Sequence, residues 1–328
     1  MDFRFTEEEE AFRKEVSQWL EKEIPQRWHE LDLVAWEETD ESWAISREFQ
    51  RKLGQKGWLA SAYPKEYGGG ELGTMKRLIL AEELASHRAP VGVEVAIAVD
   101  WVGPTLLLFG TEEQKKKYVT GIARGELAFC LGYSEPNAGS DLASLQTRAT
   151  ESGDEYVING QKIWTTIAHY ANYMWLAART DPDAPKHRGI SMFVVDMKTP
   201  GITVRPLINL LNRHSFNEVF FDDVHIPKDS LVGQKHLGWY HLAAALDYER
   251  SGLSGGSRRV VDGLVQYVKE TERNGQLLAK DPVIRQEIAQ IAIENEIARM
   301  MSYRIAWMFS KGLRPSSEAR SEPALGSL

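Results

Sequence analysis

The sequence holds one cysteine, Cys130, in 328 residues. No internal disulfide is therefore available, and that usage fits a reducing compartment. Long apolar runs are also missing. A membrane-spanning helix needs about 20 predominantly apolar residues, and the best candidate, residues 91–109, is interrupted by Glu94, Asp100, Gly103 and Pro104. No membrane span is expected. Excess positive charge is absent too: 39 Lys and Arg stand against 47 Asp and Glu, a net charge of −8. That balance argues against a nucleic-acid partner, because a phosphate backbone is met by clustered Lys and Arg. The one basic run, Lys115–Lys117, follows Glu112 and Glu113 and reads as a solvated helix face. The first ten residues are acidic, with neither the apolar core of a signal peptide nor the arginines of a transit peptide. A cytoplasmic location is expected, and no metal site.

What is present is an ordinary globular composition, 43% hydrophobic and 26% charged. It is long enough for two or three domains of about 100–200 residues each. The chain changes character twice. Residues 1–126 read as helices. Thr6-x-x-Glu9 and Thr111-x-x-Gln114 have the spacing of capping boxes, and Phe12, Val16, Trp19 and Leu20 follow the first at helical spacing. Ile24-Pro25 ends that helix, since the residue before proline disfavours helical backbone. From 127 to 232 the period shifts toward two, with short strands punctuated by Gly, Pro, Asn and Asp. Asn159-Gly160 between residues 155–158 and 161–164 predicts a hairpin, because Asn-Gly tolerates the positive φ of a type I′ turn. From 233 to 328 the helical period returns. Ile284, Ile288 and Ile291 share one face of a late helix, and Ile293, Ile297 and Met301 the neighbouring one. A helix apolar on more than one face is buried on more than one side. The predicted fold class is α+β: an N-terminal helical domain (1–126), a central β domain of sandwich or barrel type (127–232) and a C-terminal helical bundle (233–328).

Two segments in the β region carry chemistry. The first is Tyr133-Ser134-Glu135-Pro136-Asn137-Ala138-Gly139-Ser140-Asp141. Its small residues let the backbone approach a flat or phosphorylated ligand closely. The second, Lys162-Ile163-Trp164-Thr165-Thr166, sets an aromatic ring beside two hydroxyls, a combination able to face a planar ring and donate to its heteroatoms. Other readings stand beside these. The first segment also suits a strand-to-loop turn in which Ser140 or Asp141 caps a short helix. Trp164 also suits a sandwich-core tryptophan.

The ordered pair resembles the two signatures of the acyl-CoA dehydrogenase family. The likeness extends to the loop at 63–70, to the 216–224 strand and to the helical start at Gly238-Trp239 and 246–250. It implies FAD as cofactor. Tyr133, Ser134 and Gly139 would meet the flavin through backbone groups, Trp164 would cover the isoalloxazine, and Thr165 and Thr166 would flank it, with Thr166 near N5. Ser140 would sit on the acyl-CoA side. The resemblance also implies a carboxylate base. Leu246-Asp247-Tyr248-Glu249-Arg250 matches one of the family's two base positions, which makes Glu249 the base and Asp247 and Arg250 contacts of the CoA moiety. Apolar 243–246 and Leu253, with small Gly252, Ser254, Gly255 and Gly256 around them, would raise the Glu249 pKa by desolvation. A surface Glu249 paired with Arg250 or Arg258 is the competing reading, and helix-face ion pairing that of Asp247 and Arg250.

The resemblance has two departures. Where the family carries R-x-x-F-G, this chain has Thr271 at the arginine position and Asn274 at the phenylalanine position, with Arg273 out of register. Such a subunit would bind its own FAD without supporting its neighbour's, as in the heteromeric bacterial steroid side-chain enzymes, which 246–257 also resembles. The text further departs from the family after 318, and a bundle lacking two further helices would expose the apolar face of 284–301. The expected activity is α,β-dehydrogenation of an acyl-CoA, the α proton going to Glu249 and the β hydride to the flavin. An electron-transfer flavoprotein would be the onward carrier, and a homo- or hetero-oligomer the assembly. A non-catalytic or partner-dependent subunit is the alternative. An oxygen-using relative is a third reading, and a base at Glu249 weighs against the monooxygenases among them.

Overall fold

The computed structural model describes residues 4–31, 39–243, 258–311 and 313. Helices α1 (Glu7–Glu23), α2 (Asp40–Gln55) and α3 (Thr74–Ser86) come first. Two mixed helical runs follow, 93–109 and 112–123, each with a π-helical stretch, at Ala96–Val102 and Lys115–Val119. Eight strands come next: β1 (Phe129–Gly132), β2 (Arg148–Ser152), β3 (Glu155–Lys162), β4 (Tyr173–Arg179), β5 (Ile190–Asp196), β6 (Ile202–Ile208), β7 (His214–Pro227) and β8 (Leu231–Val232). After them, α4 (Arg258–Glu270) and α5 (Pro282–Ser310) flank a small hairpin, β9 (Glu272–Arg273) with β10 (Gln276–Leu277). The α+β class and the order helices, sheet, helices are those expected from the sequence.

The expected caps form. Thr6 Oγ1 accepts from the N–H of Glu9 at 3.2 Å while Glu9 Oε2 accepts from the N–H of Thr6 at 2.8 Å. The same reciprocal pair joins Thr111 and Gln114, and Thr39 with Ser42 makes a third. Each satisfies N–H groups that the first helical turn leaves without partners. Ile24 is extended, as the proline after it requires.

Contacts divide the chain into two compact units. The first takes in residues 1–29, 72–89 and 251–328, and its described residues are mostly helical. Val16 and Leu20 of α1 and Leu78 and Ile79 of α3 are fully buried, and Leu78 packs with Tyr303 and Ala306 of α5. Among these apolar contacts sits Glu82, whose carboxylate accepts from Arg13 Nη2 at 2.6 Å, Arg299 Nε at 3.0 Å and the Tyr303 hydroxyl at 2.9 Å. On α5, Ile291, Ile293, Ile297 and Met300 are exposed.

The second unit holds residues 30–71 and 90–250. Its sheet runs β6-β7-β3-β2-β4-β5-β8, with β1 added beside β4. β6-β7-β3-β2 is an antiparallel set, as is β4-β5-β8, and β1 pairs β4 in parallel. The two sets meet at one residue pair, Arg148 with Arg179. That single rung makes the β unit two leaves, in keeping with the sandwich reading. β4 and β5 are buried almost throughout, whereas the first half of β7 alternates between buried and half-buried positions.

One expectation is corrected here. Asn159-Gly160 does not turn the chain; β3 runs through it from Glu155 to Lys162. The pairing with β7 shifts register between Ile158 and Gly160, and Gly160 has φ +150°. The glycine is required because a Cβ there would lie 2.6 Å from Thr147 Oγ1. Asn159 binds across the sheet, donating from Nδ2 to Asp223 Oδ1 at 2.9 Å and accepting from the Asp223 N–H at 2.9 Å. The pair is a bulge, not a hairpin. The hairpin between β2 and β3 turns at Gly153-Asp154 instead. Asn274-Gly275, with φ of +55° and +75°, turns β9 into β10, where the same two-residue chemistry does make a hairpin.

Candidate functional site

Both signature segments lie in the second unit, at the ends of neighbouring elements. β1 delivers Tyr133 and Ser134, and β3 delivers Ile163 and Trp164. The segments are bonded to each other. The N–H of Ile163 donates to the carbonyl of Ser134 at 2.9 Å, and Lys162 Nζ donates to the carbonyl of Tyr133 at 3.0 Å. Beyond Ser134 the chain makes a tight turn, with Glu135 and Ala138 exchanging backbone bonds at 2.9 and 3.1 Å. Gly139 and Ser140 are exposed, and a Cβ at Gly139 would meet nothing within 4 Å.

Glu135 turns inward. Its Oε1 accepts from Lys162 Nζ at 2.8 Å and from the N–H of Thr147 at 2.9 Å; its Oε2 accepts from the N–H of Gln146 at 2.6 Å. Lys162 is fully buried. Burial pushes the Lys162 ammonium down to about 8, against the pull of Glu135. Burial acts on Glu135 in the opposite sense, but the Lys162 charge and the backbone donors hold its carboxyl below the usual carboxylate range.

The second segment sits in strained backbone. Trp164 has φ +59° and Ile167 φ +55°, left-handed values that side chains, β-branched ones above all, rarely adopt. β7 holds this geometry. The N–H of Thr165 donates to the carbonyl of Asn217 at 3.0 Å, and the Asn217 side-chain amide donates to the carbonyl of Thr165 at 2.9 Å. Asn217 also bonds His169 Nδ1 at 3.0 Å and His214 Nε2 at 2.7 Å, and the two imidazoles stack at 3.8 Å. Burial, with His214 alongside, pushes His169 down to about 4.

Trp164 is 60% exposed, edge-on to Phe216 at 6.1 Å. The core-tryptophan reading is therefore excluded for Trp164; the fully buried indole of the β unit is Trp175, on β4. Thr165 is buried, and its Oγ1 has no hydrogen-bond partner among the described residues. A buried hydroxyl without a partner is costly unless something else bonds it. An exposed aromatic face, half-buried Thr166 and this orphaned hydroxyl fit a flat, hydrogen-bonding ligand such as a flavin. The helix-cap reading of the first segment is not realised: Asp141 precedes the short helix Leu142–Ser144 without a side-chain cap bond and pairs with Lys186 at 2.9 Å.

The structure thus brings Tyr133, Ser134, Trp164, Thr165 and Thr166 into one bonded pair of loops, with Gly139 and Ser140 on the exposed side of the first. Asp247, Glu249 and Arg250 lie outside the described residues. Arg273, out of register with the family's arginine, pairs with Asp281 at 3.3 Å. The sequence reading gave no role to Glu135, Lys162, His169, His214 or Asn217. The signal for the first two was a charge of opposite sign inside each signature, next to residues given roles.

Among the described residues no group of three or more His, Cys, Asp or Glu is placed to hold a metal ion, and no helix is long and apolar enough to cross a membrane.

Helices, a two-leaved β unit whose loop ends are bonded together, and helices again define a helix–sheet–helix protein with a candidate ligand platform on the sheet. Three family models match the chain in that order: the acyl-CoA dehydrogenase N-terminal domain over residues 6–126, the middle domain over 130–224 and the C-terminal domain over 236–323. The chain belongs to the acyl-CoA dehydrogenase family. It is 39% identical over 258 residues to acyl-CoA dehydrogenase FadE29 of Mycobacterium tuberculosis, covering 78% of this chain and 66% of that protein. It is 34% identical over 315 residues to FadE26 of the same organism, covering 93% and 77%. Among solved structures it resembles a chain of the ChsE4-ChsE5 complex from Mycobacterium tuberculosis, with a TM-score of 0.85 and 31% identity over all of this chain and 82% of that one. It also resembles the Tcur3481-Tcur3483 steroid acyl-CoA dehydrogenase, with a TM-score of 0.84 and 33% identity over all of this chain and 83% of that one. The chain thus spans about two thirds of the length of FadE29 and about three quarters or more of the others.

Proposed function

We propose that this chain binds FAD on the paired loops of its β unit and dehydrogenates an acyl-CoA thioester between the α and β carbons. The observation that carries the proposal is the bonded pair of signature loops, presenting exposed Trp164 beside the unpartnered hydroxyl of Thr165. FAD, when bound, supplies the acceptor for the β hydride. The chain's own residues bind and orient. Backbone groups of Tyr133 and Ser134 and the hydroxyls of Thr165 and Thr166 offer directional bonds, and the Trp164 indole offers a face to stack against. Ser140, exposed at the rim of the first loop, faces the substrate side. Glu249 takes the α proton as general base, with Asp247 and Arg250 binding the CoA moiety; their support is the sequence match alone. A base for this proton has to act in a dry pocket, where desolvation raises its affinity for the proton. An electron-transfer flavoprotein is the proposed onward carrier, and a steroid side chain or another branched acyl group the proposed substrate class, by likeness to the steroid enzyme above.

The test is the visible spectrum of the purified chain with FAD, followed by anaerobic addition of straight, branched and steroid-side-chain acyl-CoAs. A flavin band that one of them bleaches supports the proposal. A chain that takes up no FAD overturns it. A second reading, a subunit that works only beside another chain, is favoured by the exposed apolar residues of α5. It expects FAD uptake only after co-expression with that partner.

A further inference from the structure

The pair Glu135 and Lys162 takes no part in the chemistry proposed above, yet it is the most deeply buried pair of opposite charges among the described residues, with side-chain exposures of 8% and 0%. An ion pair taken wholly out of water is weak evidence for stability, since desolvation offsets most of the attraction. Its bonds suggest another use. Lys162 is the last residue of β3, directly before Ile163-Trp164. Its Nζ reaches the carbonyl of Tyr133, directly before Ser134. Glu135, the next residue on, takes that same Nζ and two consecutive backbone N–H groups, Gln146 and Thr147, from the far end of the first loop. One charged pair therefore fixes four points: the start and the far end of the first loop, the turn between them, and the root of the second.

The bond between the loops themselves, Ile163 N–H to Ser134 carbonyl, forms only if these points hold register. A slip of one residue in β3 would turn Lys162 outward and reverse the faces of Ile163 and Trp164. Buried charges resist such a slip because turning Lys162 outward would leave Glu135 without its cation, and fixing register is the best-attested use of a buried polar group. From this we infer that Glu135 and Lys162 are positioning residues for the flavin platform, holding Ser134 and Trp164 in mutual register. The inference rests on the flavin reading for what the loops hold, and on geometry for how they are held.

The test is the paired substitution Glu135→Leu with Lys162→Met, which removes both charges at similar volume and leaves neither unpaired. Three readouts are taken: cooperative thermal unfolding, hydrogen exchange of the 163–166 segment without cofactor, and FAD affinity by visible titration. The expected result is a folded chain whose 163–166 amides exchange at least tenfold faster and whose FAD dissociation constant rises at least tenfold. A folded chain with unchanged exchange overturns the inference. Glu135→Gln, which keeps the volume and one acceptor, is measured alongside. It is expected to give a smaller change in the same direction, and if the paired variant does not fold, an unaltered exchange rate in Glu135→Gln overturns the inference alone. If the wild-type chain takes up no FAD, the flavin reading fails, and the exchange readout still decides the positioning role.

Discussion

The backbone N–H of Ile163 donates to the carbonyl of Ser134 across 2.9 Å. With the Lys162 bonds to Tyr133 and Glu135 it unites the two segments singled out by their composition, and it holds the residue directly before Trp164 against the first loop.

Trp164→Ala should weaken FAD binding about two- to twelvefold, the worth of roughly 0.5–1.5 kcal/mol of aromatic stacking. Because Trp164 is mostly exposed, the melting temperature of the cofactor-free chain should barely move. Parallel FAD titration and thermal melts check this. A large loss of stability with unchanged FAD affinity would assign Trp164 to packing instead.

Glu249→Gln should leave FAD binding intact and slow substrate bleaching of the flavin by about 10²–10⁴-fold, the usual contribution of a positioned base. Anaerobic stopped-flow spectra measure it. Bleaching at the wild-type rate would remove Glu249 from the mechanism.

His169 sits at about 4 in the folded chain against about 6.5 for a free imidazole. The unfolded chain therefore binds more protons between those values, and stability falls as pH drops from about 6.5 toward 4. His169→Phe should lose this part of the pH dependence. Urea unfolding of both proteins at several pH values in that window should show the wild type converging downward relative to the variant.

In the first unit, Glu82→Ala would leave the guanidinium groups of Arg13 and Arg299 without their shared acceptor. Arg13 keeps Glu83 and Arg299 keeps Glu296, so the loss is that of hydrogen bonds to a charged group, about 1.5–3 kcal/mol, read as a lower unfolding midpoint. Burial and the bond to Glu82 push the Tyr303 hydroxyl up to about 12. The wild type should therefore lose stability as pH rises from about 10 to 12, because the folded chain holds that proton longer.

Gly160→Ala should destabilise the second unit by about 1–3 kcal/mol, the cost of backbone strain at a position with positive φ. The added Cβ also meets Thr147. A neutral effect in chemical denaturation would show that the bulge relaxes.

Much of this was legible in the residues. Thr6, Thr111 and Pro25 marked helix ends because capping and proline sterics act over three or four residues of contiguous chain. The signature segments were legible because their residue types are unusual together. Asn159-Gly160 misled because a turn and a bulge ask the same thing of the dipeptide, a glycine free of Cβ; the difference lies in Thr147 and Asp223, remote in sequence. The exchange of bonds among Asn217, His169 and His214 was invisible for the same reason. The pairing of Lys162 with Glu135, 27 residues apart, is likewise a contact that the residue types alone do not show.

Arg179 carries one more lesson. It supplies the single rung between the two leaves, and its guanidinium also gathers the carbonyls of Ala143 and Leu145 on one side and of Lys186 and Arg188 on the other. With Lys186, which pairs with Asp141, this side chain splices the first signature loop to the loop that ends at β5. A change in the length of either stretch would pull carbonyls away from the one guanidinium that gathers them.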